Sequence, residues 1–184
     1  TLMPAEIAFT SSPHPKALTR LVAHLWIPVE PVEAFEFHAE PANLERLMPP
    51  WIQFRIASTQ PISMGDGAVI EYRLKIHGIP MKWTSEIRDW TPPHRFVDVQ
   101  LGGPYRFWHH SHQFEASDGG TLITDEVDYS PWGGHLMDRL LVRRDLSVEL
   151  REELEEYKTD ISDGEFETSD HRYVQALYAR LTKK

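Results

Sequence analysis

Most of the chain between residues 51 and 129 consists of short extended segments separated by turns, with no helical pattern between them. Residues 70–77 (IEYRLKIH) and 81–88 (MKWTSEIR) alternate apolar and polar side chains along their length. This alternation places the apolar residues on one face of a strand. Strands that follow one another across short turns, without intervening helices, pair antiparallel. The sequence therefore predicts an antiparallel sheet whose apolar face must be covered by another element.

The segments on either side of this run supply the cover. Residues 20–27 are predicted to form a first strand, and Pro31 and Pro41 then open two short helices. After Pro131, apolar residues recur at helical spacing, which predicts a helix of roughly 25 residues that starts near His135. The combination predicts an α+β fold. In it, a curved antiparallel β-sheet of about seven strands is wrapped around a long C-terminal helix, with two short helices after the first strand.

The length of 184 residues suits a single domain, residues 1–184, with its core expected at 19–158. Residues 1–18 contain several prolines and are predicted to form an irregular arm with one extended piece from Ile7 to Phe9. Residues 162–184 are predicted to hold an extra tail helix.

Composition excludes several classes of protein. The chain has no cysteine, so disulfides and thiolate metal sites are ruled out. A formal net charge of −9 disfavours nucleic-acid binding, which needs a basic surface. No apolar run is long enough for stable membrane insertion, and the first ten residues lack the pattern of a signal peptide. We therefore expect a cytoplasmic protein.

Residues 104–129 are predicted to form a β-hairpin that carries the most unusual side chains of the sheet. Its turn, residues 116–120 (ASDGG), contains Asp-Gly and Gly-Gly, which accept the positive φ angles of tight reversals. Side chains two apart share a face of a strand. The first strand therefore places His110 and His112 together between Trp108 and Phe114, and the second carries Asp125 among apolar residues.

Three interpretations of His110, His112 and Asp125 remain open. In the first interpretation they form a hydrogen-bonded structural network, because buried polar groups need partners. Alternatively, they bind the polar part of a ligand in an apolar pocket. In the third interpretation they are catalytic, with a histidine as acid or base and the aspartate orienting it. A metal site is a minor variant of these interpretations, since two histidines and a carboxylate are a known ligand set. The expectation from the sequence is nevertheless that the protein has no metal and no cofactor.

Arg143 lies inside the apolar stripe of the predicted long helix and is expected to face the sheet. Its guanidinium either reaches water at the rim of the sheet or binds a carboxylate or phosphate of a ligand. A third alternative is that it neutralises Asp125.

Several local motifs resemble one family. They are NLERLMPPW (43–51), YRLKIHGIP (72–80), WTPPHRF (90–96), GPYRFWHH (103–110), HQF (112–114), GTLITD (120–125) and LVRRDL (141–146). Together with the element order, they resemble the START-like or SRPBCC superfamily, specifically the bacterial ligand-binding group related to Bet v 1-like proteins and polyketide cyclases. The resemblance covers about residues 19–151 and implies the helix-grip fold with a hydrophobic cavity between sheet and helix.

The function expected from this fold is the binding of a small hydrophobic or aromatic molecule in that cavity. Its walls are predicted to be Tyr72, Trp83 and Trp108, with polar contacts from His110, His112, Asp125 and Arg143. The first alternative is a cyclase or dehydratase in which a cavity histidine acts as acid or base. The second is a non-enzymatic interaction module, for which residues 162–184 would form a homodimer contact.

Overall fold

The computed structural model describes residues 6–47, 53–59, 61–76 and 78–143. Its main element is an antiparallel sheet of eight strands in the order β1-β2-β8-β7-β6-β5-β4-β3. The strands are β1 (Glu6–Ser11), β2 (Thr19–Ile27), β3 (Gln53–Ile56), β4 (Val69–Ile76), β5 (Ile79–Thr91), β6 (Arg95–Gly102), β7 (Tyr105–Ser117) and β8 (Gly120–Pro131). The α+β class and the antiparallel sheet are thereby confirmed.

The predicted helices after the first strand are also confirmed, as α1 (Pro31–Ala39) and α2 (Pro41–Leu47). Each begins at a proline, whose missing N–H and fixed φ suit the first helical position. A third helix, α3 (Gly134–Met137), starts one residue before the predicted His135 and continues as a π-helical turn, Asp138–Val142. The rest of the predicted long helix, and the tail helix predicted within 162–184, lie outside the described residues.

Strand β1 differs from the irregular arm predicted for residues 1–18. It extends beyond the expected piece at Ile7 to Phe9 and pairs along β2, from Glu6 opposite His24 to Ser11 opposite Thr19. An edge strand receives its stability from backbone pairing with its neighbour. The side chains of such a strand need not alternate between apolar and polar, so its sequence gives little indication that it is a strand.

The β7–β8 hairpin follows the sequence prediction. Its two turn residues, Asp118 and Gly119, both have positive φ (46° and 76°), which is the backbone of a two-residue hairpin loop. Ser117 therefore pairs with Gly120, and His112 lies directly opposite Asp125. Cross-strand partners share a face, so the predicted faces of both strands are confirmed.

Helix α1 identifies the inner face of the sheet, because it packs on that face. The ring of Phe35 contacts Phe96 on β6 and Phe114 on β7, with ring centroids 5.8 Å and 5.5 Å away. All three rings are buried, and each contributes about 1.5–3 kcal/mol through removal of its surface from water. A second cluster at the far end of β8 contains Val127 and Tyr129. The histidines and Asp125 lie between these two apolar regions.

Candidate functional site

Three polar side chains meet on the inner face of the hairpin. Nδ1 of His112 lies 2.6 Å from Oδ1 of Asp125, and Nε2 of His110 lies 3.3 Å from the same oxygen. The two imidazole rings are 3.8 Å apart because they project from alternate residues of one strand. The structure therefore brings together the three residues that the sequence singled out as the polar centre.

A third histidine, His38, reaches the cluster from α1. Its Nδ1 donates to the carbonyl oxygen of Ala34 at 2.7 Å, which fixes Nε2 as the nitrogen without a proton in the neutral ring. Its ring lies 5.0 Å from that of Phe114 and 6.4 Å from that of His112. His38 is not among the site residues predicted from the sequence, although it lies four residues after Ala34 on the apolar side of the helix.

Asp98 on β6 extends the polar row across the sheet. It lies directly opposite His110, while Phe96, two residues earlier, lies opposite His112. The Phe96 ring stacks on the His112 ring at 4.4 Å. Asp98 is not among the predicted site residues either. The available signal was its alternation with Phe96, which places both residues on one strand face.

Aromatic rings border the cluster on the side away from α1. Trp108 lies edge-on to His110, with ring centroids 6.0 Å apart, and Trp83 lies edge-on to Trp108 at 5.2 Å. Of the two predicted wall tryptophans, Trp108 therefore contacts the polar centre, whereas Trp83 lies one ring further away. The Trp83 indole nitrogen donates to Ser85 Oγ at 2.9 Å. The predicted wall residue Tyr72 is only 5% exposed and packs against Phe54.

The charge states follow from the apolar surroundings. Burial is the largest influence on His38 and lowers its pKa to about 4. Burial, together with the charge of His110, also lowers the pKa of His112. Burial alone would raise the pKa of Asp125, but the charges of His112 and His110, together with the hydrogen bond from His110, outweigh it and lower the pKa. At neutral pH the cluster therefore contains an ionised Asp125 beside a neutral His112.

The cluster is nevertheless reachable from solvent. The exposed fractions of the side chains are 22% for His110, 15% for His112 and 29% for Asp125. Protein surrounds Asp125 closely enough to desolvate it, yet over a quarter of its side chain stays accessible. Both observations fit polar groups that line a concave surface, rather than groups enclosed in a packed core.

Arg143 is not part of this cluster. Its Nε donates to Oδ2 of Asp138 at 2.9 Å and its guanidinium reaches Thr19 Oγ1 at 3.3 Å. The alternative in which Arg143 neutralises Asp125 is therefore wrong, because its ion pair is with Asp138. The π-helical turn explains the difference, since it places Arg143 five residues after Asp138 on the same side, where regular helical spacing does not.

An eight-stranded antiparallel sheet, with two short helices after β2 and a further helix after β8, defines the helix-grip class of α+β domains. A family model described as "Polyketide cyclase / dehydrase and lipid transport" matches residues 27–155. The chain belongs to this family, and with it to the START-like (SRPBCC) superfamily.

Solved structures agree on the fold. Protein Ms6760 from Mycobacterium smegmatis has a TM-score of 0.60 at 16% identity, covering 80% of this chain and 93% of that one. Ara h 8.0201 has a TM-score of 0.57 at 17% identity, covering 89% and 98%. A protein from Rhodobacter sphaeroides has a TM-score of 0.60 at 17% identity, covering 95% and 99%. At these identities the likeness shows the fold alone.

No curated protein matches the chain in sequence. Among the helices in the described ranges, none combines the length and the apolar character needed to cross a bilayer.

Proposed function

We propose that the protein binds a small hydrophobic or aromatic molecule on the inner face of the sheet, with the molecule's polar group against His110, His112 and Asp125. The observation that carries this proposal is the partial exposure of three polar side chains that are otherwise surrounded by aromatic rings. A few convergent polar groups among apolar walls is the usual composition of a small-molecule site. Membership of a family that includes lipid transport supports the same class of ligand.

The charge of the cluster narrows the chemistry of the ligand. Asp125 is ionised and can only accept hydrogen bonds, so it favours a hydroxyl or phenol over a carboxylate. The edge-on pair Trp83 and Trp108 offers aromatic surface beside it. A flat, mostly apolar molecule with one hydroxyl group therefore fits these residues better than a fatty acid with a free carboxylate.

Two probes of matched shape test this proposal: 2-naphthol, which has a hydroxyl, and 2-methylnaphthalene, which lacks it. Binding is measured by quenching of tryptophan fluorescence, in EDTA. We expect both probes to bind and 2-naphthol to bind more tightly. Asp125→Asn should weaken 2-naphthol by about tenfold, the value of one hydrogen bond to a charged group, and leave 2-methylnaphthalene unchanged.

His109→Ala is the matched control, because His109 is next to His110 on the same strand and faces the opposite side, toward His14. It should alter neither affinity. Failure of both probes to bind the wild-type protein would contradict the proposal, as would an equal loss in the His109 variant.

A further inference from the structure

We propose that His110, His112 and Asp125 form a binding site for one divalent transition-metal ion. One ligand atom from each of the three residues can be chosen so that all lie within 4.8 Å of one another. The site uses the same side chains as the proposed ligand contacts. It does not depend on that proposal, because the metal alone is the probe that tests it.

The distances between the donor atoms suit a shared ion. Oδ1 of Asp125 is 2.6 Å from Nδ1 of His112 and 3.3 Å from Nε2 of His110. Ligands at about 2.0–2.2 Å from one zinc ion lie about 2.9–3.5 Å from each other in octahedral or tetrahedral arrangements. The 3.3 Å separation from His110 already lies in this range, and a small movement of the Asp125 side chain away from His112 brings the 2.6 Å separation into it.

The contact between His112 and Asp125 is close but poorly directed for a hydrogen bond. Nδ1 of His112 is buried, and within the described part of the chain it has no hydrogen-bond partner of acceptable geometry, although Asp125 Oδ1 lies only 2.6 Å away. A purely structural His–Asp pair would align the N–H with the oxygen. Here both atoms are adjacent without pointing at each other, as two ligands of one ion are.

The scaffold holds the donors in place. His110 and His112 are two residues apart on one face of β7, and Asp125 is directly opposite His112 on β8, so all three project from a paired hairpin. The flat ring of Phe96 supports His112 from one side. Donor groups on paired strands are held more precisely than donor groups on loops.

Asp98 is placed to orient a metal-bound His110. It lies directly opposite His110 on β6, and its Oδ1 is a buried atom for which the described residues provide no hydrogen-bond partner. Histidines that bind metals usually donate their second ring N–H to a carboxylate or carbonyl. A buried and unpaired carboxylate oxygen next to His110 is therefore an independent observation in favour of the site, and we assign Asp98 as a positioning residue.

The donor set indicates which ion would bind. Two imidazole nitrogens and one carboxylate favour Zn²⁺, Fe²⁺, Co²⁺ or Ni²⁺ over Mg²⁺ and Ca²⁺, which prefer oxygen ligands throughout. Three protein ligands leave at least one coordination position for water or for an oxygen of a bound molecule. The 15–29% exposure of the three side chains leaves a path for the ion.

The test uses the full chain without a polyhistidine tag, freed of metal by dialysis against EDTA. Cobalt(II) is titrated into the protein and followed by its visible absorption, and Zn²⁺ is titrated by calorimetry. We expect one ion per chain with a Kd below about 10 µM, and no binding of Mg²⁺ at the same concentrations. His110→Ala, His112→Gln and Asp125→Asn should each weaken binding by at least about 10–100-fold.

Two further variants make the result specific. Asp98→Asn should weaken binding by about 10-fold or more and shift the cobalt absorption bands, which a merely structural residue would not do. His109→Ala, on the opposite face of the same strand, should leave affinity within about twofold of wild type. Circular dichroism identifies any variant that fails to fold, and Asp125→Asn is the variant expected to perturb folding least.

A wild-type protein that does not bind Zn²⁺ or Co²⁺ below about 100 µM would overturn the metal proposal. An equal loss of affinity in His109→Ala would also overturn it, because the ion would then be on the outer surface. Neither result bears on the ligand proposal, since the naphthalene probes are measured in EDTA.

Discussion

Two aspartates on the inner side of the molecule, Asp138 and Asp125, are held in opposite ways. Asp138 accepts hydrogen bonds from Thr19 Oγ1 (2.7 Å), Tyr129 Oη (2.6 Å) and Arg143 Nε (2.9 Å), and its side chain is only 2% exposed. Within the described ranges, the contacts of the Asp125 carboxylate are limited to the two histidines, and its side chain remains 29% exposed.

The difference assigns Asp138 a structural role and leaves Asp125 available for the binding proposed above. The three donors to Asp138 come from β2, β8 and the helical segment, so this carboxylate fastens the start of the helix to the sheet. Its hydrogen-bonding capacity is largely used, which leaves little for a ligand. Asp125 retains accessible oxygen surface beside two nitrogens, which is what binding a molecule or an ion requires.

The largest expected effect is on stability at Asp138. Asp138→Ala should lower the free energy of unfolding by about 3 kcal/mol or more, because it leaves the hydroxyls of Thr19 and Tyr129 and the guanidinium of Arg143 without their acceptor. Urea unfolding followed by circular dichroism measures the loss. Tyr129→Phe removes one of the three donors and should cost about 1–2 kcal/mol. A loss at Asp138 no larger than that of Tyr129→Phe would remove the contrast between the two aspartates.

The next largest expected effect is the dependence of the free energy of unfolding on pH, which is due mainly to His38. Burial lowers its pKa to about 4, the charge of Asp125 and the hydrogen bond to Ala34 oppose the shift, and the charges of His112 and His110 add to it. Above pH 6.5 the ring is neutral in both states. Between pH 6.5 and about 4 the unfolded chain takes up a proton that the folded protein does not, so stability falls as the pH is lowered, by up to about 3 kcal/mol.

Urea midpoints of the metal-free protein, measured at intervals from pH 7.5 to 4, give this dependence. His38→Gln should make it less steep over the range from 6.5 to 4, whatever its effect on stability at pH 7.5, and the slope that remains is expected from His112, whose pKa burial also lowers. Parallel curves for the variant and the wild type would show that His38 is not desolvated as described.

The smallest expected effect on stability is at Asp125. Asp125→Asn should change the free energy of unfolding at pH 7.5 by no more than about 1 kcal/mol, because asparagine keeps the size and one oxygen acceptor of the aspartate at a side chain that is 29% exposed. The measurement is the same urea titration, in EDTA. A loss as large as that of Asp138→Ala would support the structural-network interpretation of the cluster.

The hairpin could be predicted in detail because its register is set locally. A two-residue loop at Asp118 and Gly119 pairs Ser117 with Gly120, and counting back five residues on each side brings His112 opposite Asp125. The same alternation places His110 beside them. The polar centre was therefore available from the sequence alone.

The parts that could not be predicted depend on contacts between distant segments. The approach of His38 depends on how α1 rotates as Phe35 packs against Phe96 and Phe114, which no local pattern specifies. Arg143 follows a π-helical turn that pairs it with Asp138, five residues earlier, and a regular spacing of 3.6 residues per turn does not predict that pair. Asp98 followed the expected alternation, but nothing in its own strand marked it as a neighbour of His110.

The hydrogen bond between Thr19 on β2 and Asp138 in the helical segment also bears on the order in which the molecule folds. The Thr19–Asp138 hydrogen bond joins residues 119 positions apart, whereas the His110–Asp125 contact spans 15 positions within one hairpin. Closing a long loop costs more chain entropy and delays the contacts that depend on it. During refolding, the hairpin that carries the histidines is thus expected to form well before Asp138 joins the helix to β2.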